Sequence, residues 1–280
     1  MTTTLKIDHV TIAGSDLALL EQAFAAVGLP TAYGGPHSNG VTHMALLGFE
    51  DGSYIELISF LSAGAKETIF WGEQIAGNGG PCAWAVQSSD VGAEAARLAA
   101  LGITVKGPVY MHRRRPDGVL VEWDLAFLGD RPAGATLPFI IRDITPREWR
   151  VQPSTGIAGR LTGVAMVILA VENLADSIDL FRRVYGWSVP QFKEDPAFGA
   201  RLAYFAGTPV TLAVPLAKDD WLAERLARFG PSPCAYLLGA PDLETARRDF
   251  GLTPASNWLG RSVAWFDPAR LHGLKLGVIA

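Results

Sequence analysis

The chain has 280 residues, of which 49% are hydrophobic and 19% charged, a composition typical of a folded globular protein. Its formal net charge of −4 argues against a general nucleic-acid-binding protein, because such a protein needs a basic surface for the phosphates. The longest apolar stretch, Val164 to Val171, is too short to cross a bilayer. The amino terminus lacks the pattern of a signal peptide, and two cysteines do not form a disulfide framework. We therefore expect a soluble, cytoplasmic protein without a nucleic-acid or membrane partner.

The first sixty residues predict a strand, a helix and three further strands. The strand is Lys6 to Ala13, and the helix begins after Asp16 and ends at Gly28, with apolar residues at helical spacing. The next three strands are expected around residues 31–33, 41–49 and 54–60. The last two are joined by a turn at 50–52, which is typical of a hairpin.

The same order of elements recurs three times, in residues 82–144, 163–216 and 234–280. Each copy has a strand, an Asp or Asn at the start of a helix, a glycine near its end, and three short strands. Pro81-Cys82-Ala83-Trp84 opens the second copy and Pro233-Cys234-Ala235-Tyr236 opens the fourth, so the first pair of units looks duplicated as the second pair. Residues 152–159 form the predicted linker. The predicted domains are therefore residues 1–150 and 160–280.

A βαβββ unit that occurs in pairs, with His9 in its first strand and Glu56 in its last, resembles the vicinal oxygen chelate superfamily. The closest resemblance is to glyoxalase-like domain proteins, and the residues that carry it are 8–17, 34–59 and 113–127. It implies an α+β fold of four βαβββ modules arranged as two paired-module cups.

The resemblance also implies a divalent metal (Zn, Fe, Mn, Ni or Co) in the first cup, with His9 and Glu56 as ligands and Glu56 as the catalytic carboxylate. The other units have Ala83, Met166 and Ala235 at the position of His9, so only the first unit keeps a metal-capable side chain there.

A third metal ligand can come from either His43 or His37. His43 lies in the strand that forms a hairpin with the strand of Glu56, and side chains alternate between the two faces of a sheet. A two-residue turn pairs Glu56 with Leu47 and puts His43 on the same face. A three-residue turn pairs Glu56 with Leu46 and turns His43 away. The sequence leaves both registers open. The predicted metal set is His9, His43 and Glu56, with His37 at the mouth of the cup.

Candidate substrate-binding residues come from the second unit. Arg113 and Arg115 belong to an arginine cluster that could clamp a carboxylate or phosphate. Glu122 alternates with Trp123 in the following strand, so one of the two faces the cup. Together with His37, these residues form the predicted binding set.

The primary functional hypothesis is a metal-dependent lyase or isomerase acting on a small vicinal-oxygen acid or ketone. The alternatives are a metal-free protein that binds or sequesters a small molecule, as resistance proteins of the superfamily do, and a catalytically degenerate member. Dioxygenase activity is less favoured, because extradiol dioxygenases carry their iron in the C-terminal pair of units, whereas here that pair has no histidine except His272. The second pair is therefore expected to be structural or non-metal. Association into a homodimer stays open.

Overall fold

The computed structural model describes residues 4–62 and 71–280. Residues 1–3, on which the expectation about a signal peptide partly depends, lie outside the described part. The strands form two eight-stranded sheets, one from each half of the sequence. No helix in the described ranges is long and apolar enough to cross a membrane.

The described residues of the first half contain eight strands and four helices. In chain order they are β1 (Ile7–Ala13), α1 (Leu17–Ala26), β2 (Ala32–Pro36), β3 (Thr42–Gly48), β4 (Tyr54–Phe60), α2 (Gly72–Ala76), β5 (Gly80–Gln87), α3 (Val91–Ala100), β6 (Val105–Arg114), β7 (Leu120–Leu128), β8 (Phe139–Asp143) and α4 (Arg147–Arg150). The strands lie in the order β2-β3-β4-β1-β5-β8-β7-β6.

The second half repeats this arrangement. Its elements are β9 (Gly163–Ala170), α5 (Leu174–Tyr185), β10 (Gln191–Asp195), β11 (Ala200–Tyr204), β12 (Val210–Pro215), α6 (Trp221–Phe229), β13 (Ser232–Gly239), α7 (Leu243–Phe250), β14 (Ser256–Trp258), β15 (Arg261–Trp265) and β16 (Leu276–Ile279), with short 3₁₀ turns at Thr155–Ile157 and Pro268–Leu271. The strand order β10-β11-β12-β9-β13-β16-β15-β14 matches that of the first sheet. The predicted α+β fold of four βαβββ modules in two curled sheets is confirmed. The domain boundaries at 150 and 160 stay a prediction.

The long helix of each module begins at the residue that the sequence indicated. The side chains of Asp16, Asp90, Asn173 and Asp242 each accept a hydrogen bond from a backbone N–H of the first turn. In the second half α5 and α7 end at Gly186 and Gly251 in the left-handed conformation, which glycine adopts without a steric penalty.

Three helices and one strand position were not anticipated from the sequence. The helices α2, α4 and α6 lie between the predicted units, and the first short strand of the third unit is Gln191–Asp195 rather than 187–192. α6 matters most, because its first residue, Trp221, packs edge-on against Phe198. Phe198 also contacts the rings of Trp258 and Trp265. These aromatic rings pack within one buried cluster of the second sheet.

The two sheets share one hydrophobic core. Buried side chains of the central strands β1, β4 and β5 belong to the same cluster as those of β9 and β13. Tyr236 of β13 is fully buried and its hydroxyl is a hydrogen-bond donor to the carbonyl oxygens of Thr11 and Ala83, at 3.0 and 2.8 Å. The two halves are thus held together by apolar packing and by the hydrogen bonds of Tyr236 within the shared core.

Candidate functional site

The concave face of the first sheet forms a cavity of about 210 Å³. Its wall is mainly aliphatic and aromatic, with a few buried polar groups. The principal lining residues are His9, His37, Thr42, Met44, Tyr54, Glu56, Ile58, Met111, Arg113, Trp123, Leu125, Phe127, Phe139, Ile141 and Arg150. We call this cavity the first cup.

The hairpin of β3 and β4 decides the place of His43. Phe49 N–H donates to the carbonyl of Ser53, which leaves a three-residue turn, and Leu46 pairs with Glu56. His43 pairs with Ser59, so its side chain lies on the opposite face of the sheet, where it contacts the Tyr33 ring edge-on. The observed register therefore places His43 on the face opposite to His9 and Glu56, because a one-residue register change turns a side chain to the other face. This position does not support the predicted role of His43 as a metal ligand.

Glu56 lies in the first cup beside His37. The Nε2 atom of His37 is 3.4 Å from Oε1 of Glu56, and its Nδ1 lies 2.9 Å from the hydroxyl oxygen of Thr42. Burial alone would raise the pKa of Glu56. The hydrogen bond and charge of His37, together with His9 and Arg113, outweigh burial and hold the pKa of Glu56 below its usual value. The cup therefore contains a buried carboxylate that favours its charged form.

His9 is held by its neighbour in the sequence, Asp8. Ile7 pairs with Val86 and His9 with Ala85, so Asp8 is an extra residue in β1, a β-bulge. The bulge allows the two adjacent side chains to meet, and Nδ1 of His9 lies 2.6 Å from Oδ1 of Asp8. In the described part of the chain Nε2 of His9 makes no hydrogen bond. The His9 ring also stacks on Tyr54 at 4.6 Å, which fixes its orientation.

Two arginines next to β8 clamp the Asp8 carboxylate. Arg150 donates to both carboxylate oxygens, at 2.8 and 3.1 Å, and Arg147 donates to Oδ2 at 2.5 Å. Arg150 also pairs with Asp143 at 2.5 Å. Burial would raise the pKa of Asp8, but the charge of Arg150 and the contact with His9 hold it below its ordinary value. Asp8 therefore remains a carboxylate that orients His9.

The structure separates the candidates of the second unit. Arg113 lines the cup, and its two Nη atoms donate to the carbonyl oxygens of Gly34 and Arg150, both at 2.6 Å. Trp123 also lines the cup. Arg115 instead pairs with Asp117 at the outer surface. Glu122 lies on the other face of β7, where it accepts a hydrogen bond from Tyr110 at 2.6 Å.

The donor groups of the cup do not fit a divalent metal. His9 offers the cup only its Nε2 atom, because Nδ1 is bound to Asp8, and Glu56 is engaged by His37. The second module presents Phe139 and Ile141 at the cup, which have no donor atoms. Among the described residues no group of three or more His, Cys, Asp or Glu side chains is arranged to hold a metal ion. Since structural and catalytic metal sites use at least three protein ligands, the set that the family resemblance implied does not assemble in this cup.

Five sequence-predicted site residues meet in the cup and three lie outside it. Those inside are His9, His37, Glu56, Arg113 and Trp123, and those outside are His43, Arg115 and Glu122. Sequence reasoning missed Asp8, Tyr54, Arg147 and Arg150. Adjacent residues of a strand normally point to opposite faces, so nothing in the pattern marked Asp8 as a partner of His9.

Paired βαβββ modules whose sheets curl into cups are the architecture of the vicinal oxygen chelate superfamily, and this chain has that architecture. The model of the glyoxalase-like domain family matches residues 7–166, more than half of the chain. The protein therefore belongs to the family of glyoxalase-like domain proteins.

Two solved structures have a similar fold over nearly the whole length of this chain. A hypothetical protein from Staphylococcus aureus is 15% identical, with a TM-score of 0.63 and 98% of each chain covered. A mutant of 4-hydroxymandelate synthase from Streptomyces coelicolor is 12% identical, with a TM-score of 0.61, over 100% of this chain and 93% of that one. At such identities the similarity establishes the fold alone. No curated protein matches the chain.

Proposed function

We propose that the first cup binds a small, largely apolar molecule with an aromatic ring, and that binding does not require a metal. The observation that carries this proposal is the wall of the 210 Å³ cavity, in which Trp123, Phe127 and Phe139 stand beside aliphatic side chains. Ligand pockets are concave and mainly apolar, with few polar groups that fix orientation.

The polar groups of the cup supply orientation. His9 presents Nε2, and the carboxylate of Glu56 lies near the imidazole of His37. Arg113 is buried with only carbonyl partners in the described residues, so it adds a positive charge at the wall. A ligand with one hydroxyl or carbonyl group on an aromatic ring matches this arrangement.

A panel of benzoate, phenol and indole tests the proposal by thermal shift, in buffer with and without EDTA. We expect at least one compound to raise the midpoint of unfolding equally in both buffers, because ligand bound to the folded state stabilises it. Met111→Trp, which fills the cup, abolishes the shift. Tyr110→Trp, on the opposite face of the same strand, keeps it.

Metal analysis of the purified protein tests the alternative in which the first cup contains a metal. We expect far less than one metal per chain by plasma mass spectrometry, in the wild type and in His9→Ala alike. Near-stoichiometric metal in the wild type that is lost in His9→Ala would instead favour the metal-dependent lyase or isomerase.

Proton transfer is a second candidate function, favoured by the contact between Asp8 and His9. A carboxylate on Nδ1 leaves Nε2 of His9 as the nitrogen that faces the cup, the arrangement of an oriented general base. Such a base would take a proton from a carbon next to a ligand carbonyl and return it, as an isomerase does. The test is exchange of that carbon-bound hydrogen for deuterium, followed by NMR on a carbonyl-bearing ligand of the cup. Exchange that is equally fast with His9→Gln would refute this role.

A further inference from the structure

A second cleft, of about 220 Å³, lies between the two halves of the chain. It is bordered by residues 78–81 at the start of β5, by α6, and by residues 272–275 before β16. It shares no lining residue with the first cup. We call it the interdomain cleft.

Most of the charged side chains that line the interdomain cleft lie on one face of α6. Trp221, Glu224, Arg225 and Arg228 line the cleft at spacings of three and four residues, which places them on one side of the helix. Glu224 is the one acidic residue among the described lining residues, and it forms no ion pair with the cations of the cleft in the described part of the chain.

Arg225 carries a charge without an anionic partner in the described structure. Its Nη atoms donate only to backbone carbonyls, those of Gly79 at 2.5 Å, of Pro233 at 2.7 Å, and of Pro81. Its Nε is buried and has no acceptor. Burial lowers the pKa of Arg225, which is the expected effect on a cation without a carboxylate.

Lys275 is a second cation of this kind. Its Nζ lies 4.5 Å from the ring centre of Trp221 and 5.8 Å from that of Phe198. Within the described ranges it makes no ion pair or hydrogen bond, and burial lowers its pKa. Arg228, at the exposed rim, lies 4.8 Å from the ring centre of Phe229 and forms no ion pair within the described part of the chain. The cleft therefore has three cations and one carboxylate, in a chain whose net charge is −4.

We propose that the interdomain cleft binds the phosphate or carboxylate group of a small metabolite, with Lys275 and Arg228 as its contacts and the charge of Arg225 behind them. Guanidinium and ammonium groups bind such oxyanions through charge-assisted hydrogen bonds. The aromatic rings of Trp221 and Phe229 hold the two contacting cations without neutralising them. The proposal is independent of the ligand of the first cup.

Isothermal titration calorimetry tests this site with two probes, inorganic phosphate and succinate, at a constant ionic strength set by sodium chloride. We expect saturable binding of at least one probe, and the probe that binds assigns the group. Lys275→Met and Arg228→Met should each weaken binding by about tenfold or more, since each removes a charged hydrogen-bond donor.

Two further variants make the test specific. Lys275→Arg keeps the charge and should retain most of the affinity, whereas Arg182→Met removes an exposed arginine of α5 outside the cleft and should change nothing. Arg228 is exposed, so Arg228→Met tests the site even if the Lys275 variant unfolds. Absence of saturable binding of both probes to the wild type, or wild-type affinity in Arg228→Met, overturns the proposal.

Discussion

The buried carboxylate of Asp8 is the contact on which the geometry of the first cup most depends. It is 1% exposed and holds His9, Arg147 and Arg150 in one cluster. Asp8→Asn keeps the shape of the side chain but removes its charge, which leaves the two arginines with Asp143 as their remaining carboxylate partner among the described residues. The variant therefore removes the anionic partner of a buried ion pair and leaves its cationic partners in place.

Removal of one partner of a buried ion pair costs about 3–5 kcal/mol of folding free energy. For a chain of this size, a loss of about 3 kcal/mol corresponds to a fall of roughly 6–12 °C in the unfolding midpoint. The matched control is Asp124→Asn, which breaks an exposed pair with Arg142 at 2.7 Å. Exposed pairs contribute only about 0–1 kcal/mol, so the control should shift the midpoint by roughly 4 °C or less.

The stability lost in Asp8→Asn should be larger at neutral pH than at acidic pH. The pKa of Asp8 is lower in the folded protein than in the unfolded chain, because the effects of Arg150 and His9 exceed that of burial. Its stabilisation is therefore present above the unfolded pKa, near pH 4, and is lost as the pH falls through the folded pKa. Asp143 is present in both proteins, so its own titration cancels to first order.

Differential scanning calorimetry of the wild type, Asp8→Asn and Asp124→Asn at pH 7 and pH 3 measures these effects. We expect a large gap between the wild type and Asp8→Asn at pH 7, and a smaller gap at pH 3. Equal midpoints for the two variants at pH 7, or a gap for Asp8→Asn that grows on acidification, would refute the buried-cluster reasoning.

Three further predictions concern other parts of the chain. Tyr236→Phe removes the hydroxyl that bridges the two sheets and should lower stability by about 1–3 kcal/mol, measured by urea unfolding, with an unchanged midpoint as the contrary result. Gly48→Ala should lower the yield of folded protein, because a Cβ there would overlap the backbone carbonyl of Gln152; a soluble variant with wild-type stability would contradict this. Burial raises the pKa of Cys234 to about 12 and also raises that of Cys82, so both thiols should react with a disulfide reagent only after unfolding in guanidinium chloride. Fast reaction of the native protein would show that they are accessible.

The repeat and its elements follow from local patterns in the sequence. The strand Tyr54–Phe60 has the bounds that its residues predicted, and the capping residues Asp16 and Asp242 start their helices as expected. These features depend on the chemistry of a few neighbouring residues, such as a side-chain oxygen that meets a free backbone N–H. A short apolar run bounded by turn residues has the same local character. The four repeats also carried the resemblance to the vicinal oxygen chelate superfamily, and that resemblance implied the paired, curled sheets.

The site required the tertiary structure. Whether His43 or Thr42 faces the cup depended on one residue in the turn between β3 and β4, and a hairpin of either length fits the same letters. The contact of Asp8 with His9 depends on a bulge that forms only when β1 pairs with β5. Arg150 reaches Asp8 from 142 positions away along the chain.

The difference in side-chain packing between the two sheets also depends on contacts between distant segments. The second sheet has the same strand order as the first, but its Phe198 and Trp258 lie in a buried cluster against which Trp221 packs. Whether a cavity stays open depends on the volumes of side chains that come from several elements distant in the chain. The sequence of any one element therefore does not show it. The sequence by itself determined the modules and their order, because these depend on neighbouring residues. Only the tertiary structure decided which cup is open and which side chains face it, because these depend on register and on contacts between distant segments.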